Sequence, residues 1–484
     1  MAAIEIQLPE GFATVAEYAA EIKHVYKQYA HLPNMHIVDF FVTGFWQTLP
    51  KEWQEYFEAS DFELSSLLSL ASTGQVDQRA PESLRSYVRA MFHLRLNYHA
   101  SLLTDQIEKE KHQQELWYFL DSMSPKKQIE VAELSQLVAK VASESKCSLV
   151  VDVGAGQGYL SRVLAYSSTG LPVLAVDSSP KQQKGAESMQ RRTIKRLQGP
   201  RAAANGFKWD SERATRLEHT VMHVSLDNAN QLAEAAHATA PDARWMLCGL
   251  HACGDLSSAV LKAFAESDAT AVVLVPCCYN HISEASQEGS AVGFPLSLGM
   301  HGTWLGQNAL KTACQATSRW DASPEATLAA FRRNYFRSLL HFLMVAQNQI
   351  ASDGVAPAVG KVTNTELQAA QAEIPAGAIA HSSADEHDFA VYALAALTKL
   401  DHAWRPTAEQ CIACYREHGG AGLRQIAAAW TLKSLAGPLI ECMVVVDRAL
   451  YLAEHCTAAG RVRAFALFDP VTSPRNVVLV AQRT

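Results

Sequence analysis

Val151-Asp152-Val153-Gly154-Ala155-Gly156-Gln157-Gly158-Tyr159-Leu160 is the stretch on which the fold of this chain turns. An apolar run, Ser148–Asp152, enters it, and a segment with Leu160, Val163 and Leu164 at helical spacing leaves it. The pattern is strand, glycine loop, helix. Glycine permits the tight turn and lets the backbone approach a ligand without a Cβ in the way. A nucleotide-like ligand is then expected to lie over exposed loop amides. The spacing is Gly-x-Gly-x-Gly, which differs from the Gly-x-Gly-x-x-Gly of dinucleotide sites. Asp177 ends the next apolar run, 21 residues after Gly156. A carboxylate there can accept both hydroxyls of a ribose.

Further short apolar runs follow on the C-terminal side: Val173–Asp177, Thr220–Val224, Trp245–Cys248 and Ala271–Val275. Helical segments lie between most of them, as in βαβ units with a buried parallel sheet. After Asn280 the strands stop for about 180 residues. That stretch is mostly helical and Ala-rich, with loop-like interruptions at Ala351–Gly360 and Ile374–Glu386. A long apolar segment, Leu423–Leu452, carries a kink signal at Gly437-Pro438. Two final strands, Val462–Phe468 and Asn476–Val480, flank a Pro-containing turn and are expected to rejoin the same sheet. On the N-terminal side, the first ~120 residues read as helical and aromatic-rich. Pro50 starts a helix there, and Trp46 and Trp53 are expected to be buried.

The expected fold is therefore α/β, a Rossmann-like doubly wound sheet with an N-terminal helical lobe and a large helical insertion before the last two strands. The divisions are residues 1–122 for the lobe, 123–280 for the first part of the core, 281–422 for the insertion and 423–484 for the final helix and strands. The lobe and insertion are assigned to the substrate side.

Composition bounds the function. The chain has 484 residues, 48% hydrophobic and 19% charged, with a formal net charge of −7. Those values suit a globular protein and exclude a polybasic nucleic-acid binder, leaving room for a local basic groove. The first residues lack a basic region followed by an apolar one, and no run of about 18 apolar residues occurs. An intracellular protein, cytoplasmic or nuclear, without a membrane span is expected. Ten cysteines in such a chain are expected to be reduced thiols. Four of them, Cys248, Cys253, Cys277 and Cys278, fall within 31 residues.

The glycine loop with its downstream acid resembles the class I S-adenosylmethionine-dependent methyltransferases. Further blocks narrow the resemblance. They are Met123-Ser-Pro-Lys-Lys127, Gly249-Leu-His-Ala-Cys-Gly-Asp-Leu256, Pro276-Cys-Cys-Tyr279, Gly293-Phe-Pro-Leu-Ser297, Glu441 with Asp447-Arg448, and Phe468-Asp-Pro-x-x-Ser-Pro-Arg-Asn476. This set, from about Trp46 to the C-terminus, resembles the methyltransferase-like protein 25 family. The resemblance implies a methyltransferase using S-adenosylmethionine, held by Asp152, Gly154, Gly156, Gln157, Gly158, Asp177 and Asp227. It also implies an RNA or ribosome-associated substrate. A protein methyltransferase, or a non-catalytic interaction protein keeping the fold, are the alternatives. The chain lacks the Asn/Asp-Pro-Pro-aromatic element that holds an adenine amine, which argues against amino-methylation of adenine.

In a doubly wound sheet the reaction lies at the carboxyl ends of the strands. The fourth and fifth strands deliver His251, Cys253, Cys277, Cys278, Tyr279 and His281 there. His251 and Tyr279 are the candidate catalytic residues, since an imidazole titrates near neutrality and alignment drives methyl transfer. Packing is the competing account of the cysteines. Zinc is a weaker one, because Cys253 and Cys277 are far apart in sequence and neighbouring cysteines rarely ligate one ion easily. No metal is assigned. Cys411-x-x-Cys414 with His418 lacks a second pair at zinc-finger spacing. Asp227 is a candidate for the cofactor's adenine amine or a solvated turn residue. Arg332, Arg333 and Arg337 with Tyr335 and Phe336 form the best basic and aromatic cluster for unpaired bases, or else a solvated helix face. Glu441, Asp447 and Arg448 read as a buried structural ion pair.

Overall fold

Buried strands that read as continuous apolar runs do so because both faces of their sheet are covered. The computed structural model describes residues 2–96, 118, 119, 123–168, 170–204, 207, 209–284, 292–374, 382–456 and 460–483. The expected lobe residues 97–117 and 120–122, and the loop residues 375–381, lie outside the described residues. Two compact units divide the chain. One holds Met1–Gln28, His93–Cys314 and Pro438–Thr484, the other Tyr29–Phe92 and Gln315–Gly437.

The first unit is built on a sheet of eight strands among the described residues: β1 (Ala3–Ile6), β2 (Leu149–Val153), β3 (Val173–Asp177), β4 (Leu217–Val221), β5 (Trp245–Cys253), β6 (Ala271–Cys277), β7 (Arg461–Ala466) and β8 (Val477–Gln482). Their order is β1-β7-β8-β6-β5-β2-β3-β4. Neighbours run parallel except that β8 lies antiparallel to both β6 and β7. This is an α/β Rossmann-like sheet, with the last two strands returned to it across the helical insertion.

Alternation along each strand feeds two cores. Val150, Val173, Ala175, Met246, Cys248 and Val273 pack on one face with Val131, Leu134 and Val138 of the Pro125–Glu144 helix. Val151, Val153, Leu174, Val176, Leu247 and Leu274 pack on the other with Val260, Leu261 and Phe264 of the Asp255–Glu266 helix. Ser-Pro pairs start two of the surrounding helices. Ser124 accepts from the Lys127 amide and Ser179 from the Gln182 amide, each with proline in the first turn.

The two edge strands differ from expectation, and β5 runs five residues past the expected end at Cys248. β4 is Leu217–Val221, three residues earlier than the apolar run at Thr220–Val224. It is an edge strand, half exposed, so Glu218 and His219 are tolerated and the periodicity is blurred. Ala3–Ile6, read as part of a helical lobe, is instead the other edge strand, paired in parallel with β7 and carrying the Glu5–Arg461 ion pair. Four residues with alternating exposure are too short to stand out in sequence.

In the Gly437–His455 helix, Asp447 and Arg448 are fully buried and 2.9 Å apart. Asp447 accepts from the amides of Leu296 and Ser297, while Arg448 donates to the Gly293 carbonyl and the Ser258 hydroxyl. The pair thus pins the Gly293–Ser297 segment from both ends.

The second unit is helical, and its helices include Pro324–Ala346, Ala384–Lys399 and Ala408–Leu435. Its core is aromatic: Trp53 packs on Tyr87, and Trp320, Phe331 and Trp430 form a triad. Trp46 and Trp53 are buried, as their sequence pattern predicts.

Candidate active site

The glycine loop runs from the end of β2 into the Tyr159–Tyr166 helix. Four of its amides are engaged within the protein, in contrast to the sequence-based expectation. Those of Gly154 and Ala155 both donate to the Val176 carbonyl, that of Gly158 to the Ala155 carbonyl, and that of Gly156 to Asp177 Oδ2 at 2.9 Å. A loop whose donors are engaged in this way offers no nest for a pyrophosphate. Gly156 has φ +56°, and a Cβ built there meets nothing within 4 Å, so the turn presents open backbone. Asp177 is gripped at both oxygens, since Oδ1 accepts from the Ser179 amide at 2.9 Å. Each oxygen keeps a second lone pair for a ligand.

Beside this loop lies a cavity of about 510 Å³, within the size range of small-molecule sites. Gly154, Asp177, Ser178, Met222, Asp227 and Leu256 are among its walls. The loop after β4 is shaped by Asn228, whose side chain accepts from the Ser225 amide at 2.7 Å and donates to the His223 carbonyl. That places Asp227 on the wall. Val176, Met222 and Leu256 on these walls, with the carboxylates of Asp177, Asp227 and Asp255, offer both apolar and acceptor groups to an adenosine.

Asp152, Gly156, Gln157 and Gly158 are not on that wall. Asp152 is buried in β2, accepts from Ser161 Oγ at 2.5 Å and faces the Cys248 thiol. Burial raises its pKa to about 6, and its position makes it a brace between strand and helix. Gln157 turns to Gln182 on the Pro180–Leu197 helix. Gly158 faces Ala186 and His219.

At the carboxyl end of β5 the strand breaks register between Leu250 and Ala252, and His251 adopts φ +65°. Its Nε2 lies 2.9 Å from Glu130 Oε2, and Glu130 Oε1 accepts from Ser473 Oγ at 2.8 Å. Lys126 and Lys127 flank the same carboxylate at 3.5 and 3.4 Å. Burial alone would raise the Glu130 pKa. The His251 bond and charge, the Ser473 hydroxyl and Lys127 outweigh it and hold the carboxyl at about 2. An ionised carboxylate only accepts, so His251 donates to it from Nε2, which leaves Nδ1 as the lone-pair nitrogen of the neutral ring. His251 stands beside the cavity rather than on its wall; Cys253, two residues on, is on the wall.

Tyr279 is 1% exposed, and its hydroxyl donates to Glu441 Oε1 at 3.0 Å. Arg475 bonds the same carboxylate oxygen at 3.4 Å and lies over the Tyr279 ring. Burial, then the Glu441 charge, pushes the phenol far above its usual range. Tyr279 thus sits inside a Tyr–Glu–Arg brace.

The sulfurs of Cys253, Cys277 and Cys278 lie within 4.8 Å of one another, and Cys253 Sγ is 3.3 Å from Cys277 Sγ. The bond from Cys277 is the largest influence on Cys253, whose thiol is lowered to about 6 against the opposing effect of burial. Cys411 and Cys414, in the helical unit, are buried, and burial raises both thiols to about 12. Their neighbour His418 packs on Phe41 and Phe342. Arg332 pairs with Asp385 and Asp388, and Tyr335 and Phe336 are buried, so that cluster presents no free aromatic face.

Glu130, Ser473, Arg475 and Asn228 are the site residues that sequence reasoning missed. Ser473 and Arg475 stand in the Ser-Pro-Arg-Asn block between the last two strands, so a signal existed there. Glu130 is one of many glutamates on helices and carried none.

Residues 126–285 match a family model described as a methyltransferase domain. Over 481 residues the chain is 24% identical to the Mus musculus protein named probable methyltransferase-like protein 25, covering 75% of each. The Homo sapiens protein of that name is 27% identical over 245 residues, 49% of this chain and 36% of its own length. A crystal structure of coclaurine N-methyltransferase bound to N-methylheliamine and SAH is 12% identical, covering 87% of this chain and 95% of that one, with a TM-score of 0.22. That last overlap is too loose to carry an argument.

Proposed function

We propose that the chain, a methyltransferase by its domain, belongs to the methyltransferase-like protein 25 family and that S-adenosylmethionine occupies the cavity beside the glycine loop. The observation that carries the proposal is Asp177, on the cavity wall and fixed through both oxygens by the Gly156 and Ser179 amides. Fixed in this way, it can accept the two ribose hydroxyls without reorganising. Asp227, at the loop held by Asn228, takes the adenine amine. With four loop amides engaged internally and Asp177, Asp227 and Asp255 on the wall, the site favours a cofactor with a cationic centre over one with a pyrophosphate.

The cofactor supplies an electrophilic methyl group, and the chain's own residues align the acceptor. His251, oriented by Glu130 through Nε2, takes the acceptor's proton at Nδ1. Ser473 holds Glu130 in turn. Tyr279 serves as a brace with Glu441 and Arg475, so its contribution is to position the end of β6.

For the acceptor we propose RNA or a ribosome-associated component, on the resemblance alone; Arg332, Tyr335 and Phe336 add no support. Incubation with tritiated S-adenosylmethionine and lysate, then separate RNase and protease digestion, tests both parts. Label released by RNase is the expected result. Label released only by protease refutes the RNA acceptor, and no transfer refutes the enzyme. With the acceptor in hand, His251→Ala should lower kcat by at least about 100-fold, the lower range for a general base. Glu130→Gln should lower kcat less and move the pH profile. Unchanged kcat in His251→Ala contradicts its assignment.

A further inference from the structure

Three thiols converge where β5 and β6 end side by side. Cys253 and Cys277 are partners across the two strands, with sulfurs 3.3 Å apart, and Cys277 Sγ is 3.7 Å from Cys278 Sγ. A tetrahedral ion with zinc–sulfur bonds of about 2.3 Å sets its sulfurs roughly 3.8 Å apart. With all three sulfurs within 4.8 Å of one another, the trio needs shifts of no more than about 1 Å to meet that spacing.

The backbone is bent so as to gather these groups. Successive side chains on a strand point to opposite faces, so Cys277 and Cys278 would ordinarily diverge. Cys278 instead takes the left-handed conformation, with φ +51°, and its thiol turns back beside that of Cys277. This removes the objection that neighbouring cysteines rarely share an ion. Of the five non-glycine residues with positive φ among the described residues, one, Cys278, belongs to this cluster and another, His251, stands two residues before Cys253. Strain of this kind concentrates at functional sites. Gly254 completes the arrangement. A Cβ there would fall 2.4 Å from the His281 carbonyl oxygen, so only glycine lets the turn after β6 close over the end of β5.

We propose that Cys253, Cys277 and Cys278 form a thiolate site for one zinc ion at the wall of the cavity. Three sulfurs are soft ligands of the type zinc takes, and Cys253 reaches both the cluster and the cavity. Each thiol releases its proton to solvent as its sulfur–metal bond forms, with no change of oxidation state. Three protein ligands leave the fourth tetrahedral position for an external donor, the arrangement of reactive rather than purely structural zinc. A Cys253–Cys277 disulfide would account for two of the sulfurs and leave the turn at Cys278 unexplained. The assignment rests on sulfur geometry and is independent of the cofactor in the cavity.

The test is a titration of the full chain, reduced and freed of metal under anaerobic conditions, with cobalt(II) and then zinc(II). One cobalt per chain is expected, with thiolate-to-metal charge-transfer absorption and the visible bands of a tetrahedral site, both abolished by one equivalent of zinc. Zinc should also protect three thiols from a thiol reagent. Cys253→Ser should lose most of the charge-transfer intensity; Cys253 is exposed, so the variant is expected to fold, with circular dichroism as the check. Absence of the charge-transfer band in the wild type overturns the proposal. So does an unchanged spectrum in Cys253→Ser, equal thiol reactivity with and without zinc, or recovery of the pair as a disulfide that binds no metal.

Discussion

Three carboxylates near the site carry different duties, and pH separates two of them. Asp152 has a raised folded-state pKa of about 6 because burial penalises its charge. Between its unfolded value near 3.9 and that figure, the native state holds the extra proton, so stability falls as pH rises through the window. Asp152→Asn should therefore match the wild type near pH 4 and exceed it by roughly 1–3 kcal/mol at pH 8 in urea unfolding. Glu130 has the opposite sign. Its depressed pKa of about 2 stabilises the fold above the unfolded value near 4.3, and the benefit is lost as pH falls toward 2. Glu130→Gln should cost about 1–2 kcal/mol at neutral pH, with the difference shrinking in acid. A pH-independent difference in either variant would show the assigned cause to be wrong. The place of Asp177 beside the loop was legible in sequence because its distance from the loop is fixed by one βα unit. Asp152 belongs to the same motif, and only its partner Ser161 identifies it as a brace.

At the scale of elements, the decisive features are ends rather than middles. β2, β3, β5 and β6 were readable because buried parallel strands are continuous apolar runs. β1 and β4 were obscured because edge strands admit polar residues and short lengths. The bulge in β5 and the left-handed turn at Cys278 follow no propensity, since both are imposed by tertiary packing. Gly254→Ala tests that packing. The added methyl would meet the His281 backbone, and the position has φ +54° and ψ −128°. Such a substitution should destabilise the chain by about 2–4 kcal/mol in chemical denaturation. It should also make the buried Cys277 reactive toward thiol reagents. A loss under about 0.5 kcal/mol would mean the β5 and β6 ends are not held together as described.

For the whole molecule, the 484 residues divide into a sheet-bearing unit and a helical one, each assembled from separated stretches of chain. The alternation of strands and helices made the first legible. The pairing of Tyr29–Phe92 with Gln315–Gly437 was not, because contacts between helices distant in sequence leave no periodic signal. Among the described residues no helix is long and apolar enough to cross a membrane. The central claim is that the sheet-bearing unit holds S-adenosylmethionine through Asp177. Isothermal calorimetry of that cofactor against the wild type, Asp152→Asn and Asp177→Ala tests it most directly. One site per chain is expected for the wild type and Asp152→Asn. Asp177→Ala should bind roughly 10- to 100-fold more weakly, the loss of charge-assisted bonds to two hydroxyls. No heat from the wild type, or equal affinity in Asp177→Ala, would contradict the account.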